Sequence, residues 1–242
     1  MTTATALPTT TLTKRGPESD ISDIADKVFD NIRISPDEIL RLFHHPNLAD
    51  LAMLADVVRQ RLVPGHDVTY IVSRNINYTN ICWVRCSFCN FYRTPGSNAP
   101  DSYVLTREEI HQKLTELSAV GGVEMLMQGG LNPKLKLEWY EELLSWMRDE
   151  FPHIIRHCFS PAELIYIAKI SKLSMHETLT RLKVAGLQSI PGGGAEILTD
   201  RVRNFISPYK DTADEWLNCM ETAHAVGLYS TATMMYGSID TF

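Results

Sequence analysis

Three cysteines stand within eight positions in the stretch NICWVRCSFCNFYR: Cys82, Cys86 and Cys89. The spacing C-x-x-x-C-x-x-C lets a single loop present three thiolates. Three thiolates on a cubane of four irons leave one iron without a protein ligand, open to an exogenous molecule. An electron carrier prefers four cysteines, which shield the cluster, whereas an open position is what catalysis needs, as at zinc. Two other readings stand beside this one. Three cysteines plus a histidine such as His66 or His157 would make a structural zinc site, although zinc ribbons usually pair two short-spaced couples and no second couple occurs. Cysteines buried simply as small apolar groups are common, but this stretch has neither helical nor strand periodicity. Cys158, in an apolar strand, and Cys219, in an amphipathic helix, read as core residues.

Other chemistry-bearing residues fall where loops follow short β-type segments. The first of these loops is QGGLNP, with Gln128, Gly129 and Gly130. SPAE follows the next segment, with Ser160 and Glu163, and PGGGAEILTDRVR the one after, with Glu196, Asp200, Arg201 and Arg203. Glycines there let backbone approach a ligand closely, and arginines hold carboxylates by paired hydrogen bonds. Each loop has a plainer reading as a tight turn before a helix. His66, His157 and His224 likewise read as ordinary loop or helix-surface histidines.

The elements that must position these loops alternate. Five β-rich segments, near positions 68, 123, 154, 187 and 228, are separated by amphipathic runs. Capping boxes open three of those runs, at Thr106–Glu109, Ser174–Glu177 and Thr212–Glu215. Alternation of this kind predicts βαβ crossovers and a parallel sheet. A doubly wound sheet is the alternative, but functional-looking loops after nearly every strand favour a (β/α) TIM-type barrel or part of one. Five strands cannot close such a barrel, so the expected fold is partial. Ahead of it, residues 20–65 read as a helical segment, with Ser35, Pro36 and Glu38 opening one helix. The expected organisation is a disordered tail over 1–19, the helical segment over 20–65 and a core over 66–242.

Composition excludes several classes. A formal net charge of -6 argues against a broad phosphate-binding surface, so no nucleic-acid partner is expected. No apolar run reaches the ~18 residues of a membrane span. The Thr-rich start lacks the apolar block of a secretory signal. Five cysteines, an odd number with one tight cluster, do not form a disulfide framework. They suit a reducing, cytoplasmic setting, where such clusters are metal-binding or catalytic.

With Phe88 as its aromatic, the motif C-x-x-x-C-x-aromatic-C after a first strand resembles that of the radical S-adenosylmethionine superfamily. The resemblance implies a 4Fe–4S cluster on Cys82, Cys86 and Cys89, whose open iron takes S-adenosylmethionine and cleaves it to a 5′-deoxyadenosyl radical. It further implies cofactor contacts from Phe88, Gln128, Gly129, Gly130, Ser160, Glu196, Arg201 and Arg203. The segments RNINYTNIC, FCNFYR, SIPGGGAEIL, TADEW and TATMMYG resemble the futalosine-cyclase family of menaquinone biosynthesis. That likeness implies hydrogen abstraction at a ribose-derived C4′, radical attack on a benzoate ring and loss of a proton. Glu163, Glu196 and Asp200 are the candidate bases, Arg74, Arg93 and Arg156 candidate holders of the carboxylate, and Tyr78 and Tyr92 candidate pocket walls. An electron donor such as flavodoxin or ferredoxin is the implied partner. Aminofutalosine synthase and deazaflavin-chromophore synthase are the related alternatives. Thr233, Met235, Gly237 and Asp240 loosely follow the superfamily's fifth-strand pattern. Its sixth strand and C-terminal region have no counterpart, so the chain is expected to be truncated; an inactive cluster- or zinc-binding module is the alternative of another class.

Overall fold

The computed structural model describes residues 20–97 and 99–241; the tail expected over 1–19 lies outside them. The described chain forms two compact units, one ending at Thr69 and the other running from Tyr70 to Thr241. The first holds α1 (Ser22–Phe29), α2 (Pro36–His44) and α3 (Leu48–Leu62). Ser35 caps α2 in a reciprocal capping box with Glu38, and Pro36 occupies the first turn, where its missing N–H costs nothing. Asn47 caps α3. The core of this unit is small: Ile21, Ile24, Ala25 and Leu54.

In the second unit the strands are β1 (Ser73–Asn77), β2 (Glu124–Gln128), β3 (Ile155–Cys158), β4 (Ser189–Ile190) and β5 (Tyr229–Ser230). All pair in parallel, in the order β1-β2-β3-β4-β5. A doubly wound sheet reverses its strand order at a switch point; this sheet does not, and winds as a (β/α) barrel does, through five strands.

Each crossover is helical: α4 (Arg107–Ala119), α5 (Leu137–Glu150), α6 (Pro161–Ser171) with α7 (Met175–Ala185), and α8 (Asp200–Ile206) with α9 (Ala213–Ala225). Thr106 and Thr212 close full capping boxes, while Ser174 accepts the Glu177 amide without the reciprocal bond. One side of the sheet buries Ile76, Met125, Met127, Cys158 and Ile190 against Leu114, Leu144, Leu182 and Trp216. Cys158 and Cys219 are both buried there.

Two strands are shorter than their sequences suggest. Residues 68–72 are irregular and exposed ahead of β1, and TATMMYG is irregular after β5. Gly237 and Ser238 donate their amides to Asp240, closing a turn rather than extending a strand. Among the described residues, no helix is long and apolar enough to cross a membrane.

Candidate functional site

The cysteine loop leaves β1 through three buried residues, Tyr78, Thr79 and Asn80. Thr79 Oγ1 donates to the Tyr103 carbonyl at 2.7 Å, and Asn80 bonds the backbone of Asp101 and Tyr103 through its amide. The loop then closes on itself, because the Cys82 amide donates to the Arg93 carbonyl and the Arg93 amide to the Asn80 carbonyl. A further bond from the Ser87 amide to the Ile206 carbonyl ties it to the end of α8. These bonds fix the backbone on which the three thiols stand.

Cys82, Cys86 and Cys89 line one cavity of about 260 Å³ at the C-terminal ends of the strands. Around it stand Phe88, Tyr92, Gln128, Gly129, Gly130, Ser160, Glu163 and Glu196 from the sequence-predicted set, together with Lys210. A β-carbon on Gly130 would lie 2.3 Å from the Ile81 carbonyl oxygen and 2.8 Å from Cys82 Cβ. The loop after β2 therefore passes against the cysteine loop only because position 130 has no side chain.

Below the cavity, the Glu163 carboxylate joins three strand ends. Its Oε1 accepts the Tyr78 hydroxyl at 2.8 Å and the Gly129 amide at 2.9 Å. Its Oε2 accepts the Ser160 amide and hydroxyl at 2.8 and 2.7 Å. Burial outweighs these donors and pushes its pKa up to about 7. Ser160 and Glu163 are the capping box of α6, with Pro161 in the first turn. The S-P-A-E pattern carried that signal, yet the sequence reading took it as a functional loop.

On the far wall, Lys210 Nζ lies 2.6 Å from Glu196 Oε1, with the two side chains only 8% and 10% exposed. Glu196 Oε2 is buried without a partner, and its backbone sits at φ 46°, where a non-glycine residue is uncommon. Lys210 was not picked out from the sequence. It lies fourteen residues beyond Glu196, between α8 and α9, and no motif marks it.

Other predicted residues are placed elsewhere. Side chains alternate along a strand, so Arg74 turns to the helix layer, where it bonds the Lys113 carbonyl and Glu116. Arg156, two strands away, turns the same way to the Gly186 and Ile154 carbonyls. Arg93 pairs with Asp101 beside the loop it closes. None of these three arginines reaches the cavity wall. Tyr78 is fully buried, packed edge-on against Tyr140 and Phe159, rather than forming a pocket wall. Asp200 and Arg201 are exposed, Arg201 donating to the Ile239 carbonyl. Arg203 is buried and braces the glycine-rich loop through the Gly194 and Ala195 carbonyls and Asp211. His157 bonds Ser189, and His224 bonds Ser230.

The donor set fits a cluster better than a single ion. Cys82, Cys86 and Cys89 come from one loop and share one cavity, a set of three thiols that matches a cubane with one iron left open. Burial raises the Cys82 pKa and pushes Cys86 up to about 11, with Lys210 opposing the rise at Cys86. A metal that takes these sulfurs as thiolates therefore displaces protons from them.

Comparison with known proteins places this arrangement. The family model described as the Radical SAM superfamily matches residues 76–241. The cyclic dehypoxanthine futalosine synthase of Halalkalibacterium halodurans is 40% identical over 222 residues, covering 92% of this chain and 60% of that protein. The 5-amino-6-(D-ribitylamino)uracil–L-tyrosine 4-hydroxyphenyl transferase of Methanococcoides burtonii is 46% identical over 193 residues, covering 80% and 52%. The chain thus spans between half and two thirds of the length of these curated relatives. The crystal structure of methylornithine synthase superposes with a TM-score of 0.64 at 19% identity, covering 86% of this chain and 57% of that one, a likeness of fold.

Proposed function

The chain belongs to the radical SAM superfamily, whose members bind a 4Fe–4S cluster and S-adenosylmethionine, and from that premise we propose that it is the core of a futalosine cyclase. The reaction is conversion of dehypoxanthine futalosine to its cyclic form in menaquinone biosynthesis. It would take place in the cytoplasm, with reduced flavodoxin or ferredoxin as electron donor. The catalytic core in this reading is residues 66–242.

The observation that carries the reading is the shared cavity of Cys82, Cys86 and Cys89 with the Gln128–Gly130 loop and Glu196. Cys82, Cys86 and Cys89 would hold the cluster, which together with S-adenosylmethionine would supply radical chemistry able to take hydrogen from an unactivated C–H bond. Gly129 and Gly130 would bring backbone groups against that cofactor, and Phe88 and Tyr92, which line the same cavity, would flank it. Arg74, Arg93 and Arg156 do not line the cavity, whereas Lys210 does, beside Glu196, and so is the cation for an anionic group of the ligand. Glu196, whose second oxygen has no partner, is the base. Glu163 serves by holding the Gly129 amide rather than by touching substrate.

A second reading, transfer of a hydroxyphenyl group from tyrosine to 5-amino-6-(D-ribitylamino)uracil, is favoured by the 46% identity to the M. burtonii transferase. The test is product analysis. The anaerobically reconstituted chain is supplied with S-adenosylmethionine, a reductant and either dehypoxanthine futalosine or the tyrosine and uracil pair. Cyclic product from the first supports the cyclase, and coupled product from the second replaces it. If neither mixture gives 5′-deoxyadenosine, a non-catalytic cluster-binding module is the better account of this chain.

A further inference from the structure

The cysteine loop has an outer side as well as a cavity side. Cys82 and Lys210 line the inner cavity. The residues next to them in sequence, Trp83 and Tyr209, instead line a surface opening of about 410 Å³, together with Arg85, Thr94 and Pro95. At both places consecutive residues face opposite sides of one wall. A second opening, of about 440 Å³, shares Thr94 with the first and reaches Cys86 and Cys89 themselves. Two of the three thiols thus border both the cavity and the outer surface.

The chemistry of this outer side is aromatic and basic. The Trp83 ring lies 5.9 Å from that of Tyr166 and 6.3 Å from that of Tyr209, centroid to centroid. Trp83 and Tyr209 nevertheless remain 36% and 60% exposed. Exposed apolar groups clustered in this way mark interaction surfaces, and Trp, Tyr and Arg are the side chains that anchor protein interfaces. Arg85 stands among them, exposed and at φ 58°, a strained backbone region for a residue other than glycine. Among the described residues its guanidinium has no hydrogen bond or ion pair, whereas Arg93 is neutralised by Asp101. Among the described residues no carboxylate lines either opening, although the chain carries a formal net charge of -6.

We propose that this outer side of the cysteine loop docks an acidic, flavin-bearing carrier protein that delivers single electrons to the cysteine site. With cofactor and substrate on the cavity side, the outer side is left for the donor. A flavin presents a planar, largely apolar ring edge, which Trp83 and Tyr209 match, and Arg85 meets an acidic rim. The electrons balance one for one. The anionic reduced flavin gives up one electron and becomes the neutral radical, the oxidised cluster gains that electron, and no proton moves. The inference rests on the proposed function and deepens it, by giving the donor a surface and a chemistry.

Stopped-flow mixing of the reconstituted chain with reduced flavodoxin tests it, alongside calorimetric titration with oxidised flavodoxin. Tyr209→Ala and Arg85→Gly are each expected to weaken binding and to slow cluster reduction about tenfold. Arg85→Gly should also flatten the salt dependence of the rate, because a rim charge acts on encounter, while glycine relieves the backbone at that position. Reduction by dithionite, which needs no docking, should stay within about twofold in both variants and so separates lost docking from a lost cluster. Unchanged flavodoxin binding and rate in both variants overturns the inference and leaves the function standing. So does a wild-type cluster that dithionite or a ferredoxin reduces and flavodoxin does not. A folded chain with no cluster to reduce overturns the two together.

Discussion

Glu163 accepts the Gly129 amide at 2.9 Å, tying the end of β2 to the first turn of α6. The same oxygen takes the Tyr78 hydroxyl from the end of β1, so one buried carboxylate registers the ends of three strands. That makes the floor of the cavity a rigid object rather than three independent loops.

Glu163 gives the fold a pH signature. Burial raises its folded pKa to about 7 from the ordinary carboxylate value of 4.5, so folding favours the protonated form. Its contribution is fully present below the unfolded pKa and is lost as pH rises through about 7. The loss is on the order of 3 kcal/mol. Urea unfolding between pH 4.5 and 8 should show wild-type stability falling with pH relative to Glu163→Gln. Parallel curves would show that the carboxylate titrates normally.

Glycines around the cavity should differ in tolerance. A β-carbon at Gly130 meets the Ile81 carbonyl oxygen at 2.3 Å, whereas at Gly193 its nearest neighbour is Gln128 Nε2 at 2.4 Å. The first obstacle is backbone of the cysteine loop and the second the far end of a flexible side chain. Gly130→Ala is expected to cost about 1–3 kcal/mol and to lower iron content after reconstitution. Gly193→Ala should do less of both, as denaturation curves and iron assays will show.

Lys210 and Glu196 form a mutant cycle. Removing the ammonium in Lys210→Met leaves a largely buried carboxylate unpaired, a loss of about 3 kcal/mol. Lys210→Met with Glu196→Gln should recover much of it, because neither partner is then charged. Equal stability of the single and double variants in urea would show that the pair is not coupled.

How much of this was legible beforehand depended on the range of the signal. Capping boxes at Ser35, Thr106 and Thr212 are local and were readable, as was the tight cysteine spacing. The parallel barrel-type order followed from regular alternation of strand and helix. The directions of Arg74 and Arg156 were not readable without strand register, because a shift by one residue exchanges the two faces. Ser160 and Glu163 look like a helix cap in sequence, but the bonds to Tyr78 and Gly129 span 85 and 34 residues. Lys210 reaches the cavity through the packing of two short helices, which leaves no pattern at the level of residue types.

The cysteine set itself separates from the two core cysteines. Cys86→Ala is expected to abolish cluster assembly, read as loss of iron and of visible absorbance. Cys158→Ala removes a fully buried thiol from the core and should retain the cluster at a modest cost in stability.

The central claim is that Cys82, Cys86 and Cys89 hold a cluster with one iron open to S-adenosylmethionine. Electron paramagnetic resonance of the anaerobically reconstituted, dithionite-reduced chain tests it most directly, with and without that cofactor. The account predicts a reduced four-iron signal that changes on adding S-adenosylmethionine. A folded, iron-supplemented chain with no cluster signal, or with a signal indifferent to the cofactor, would contradict it.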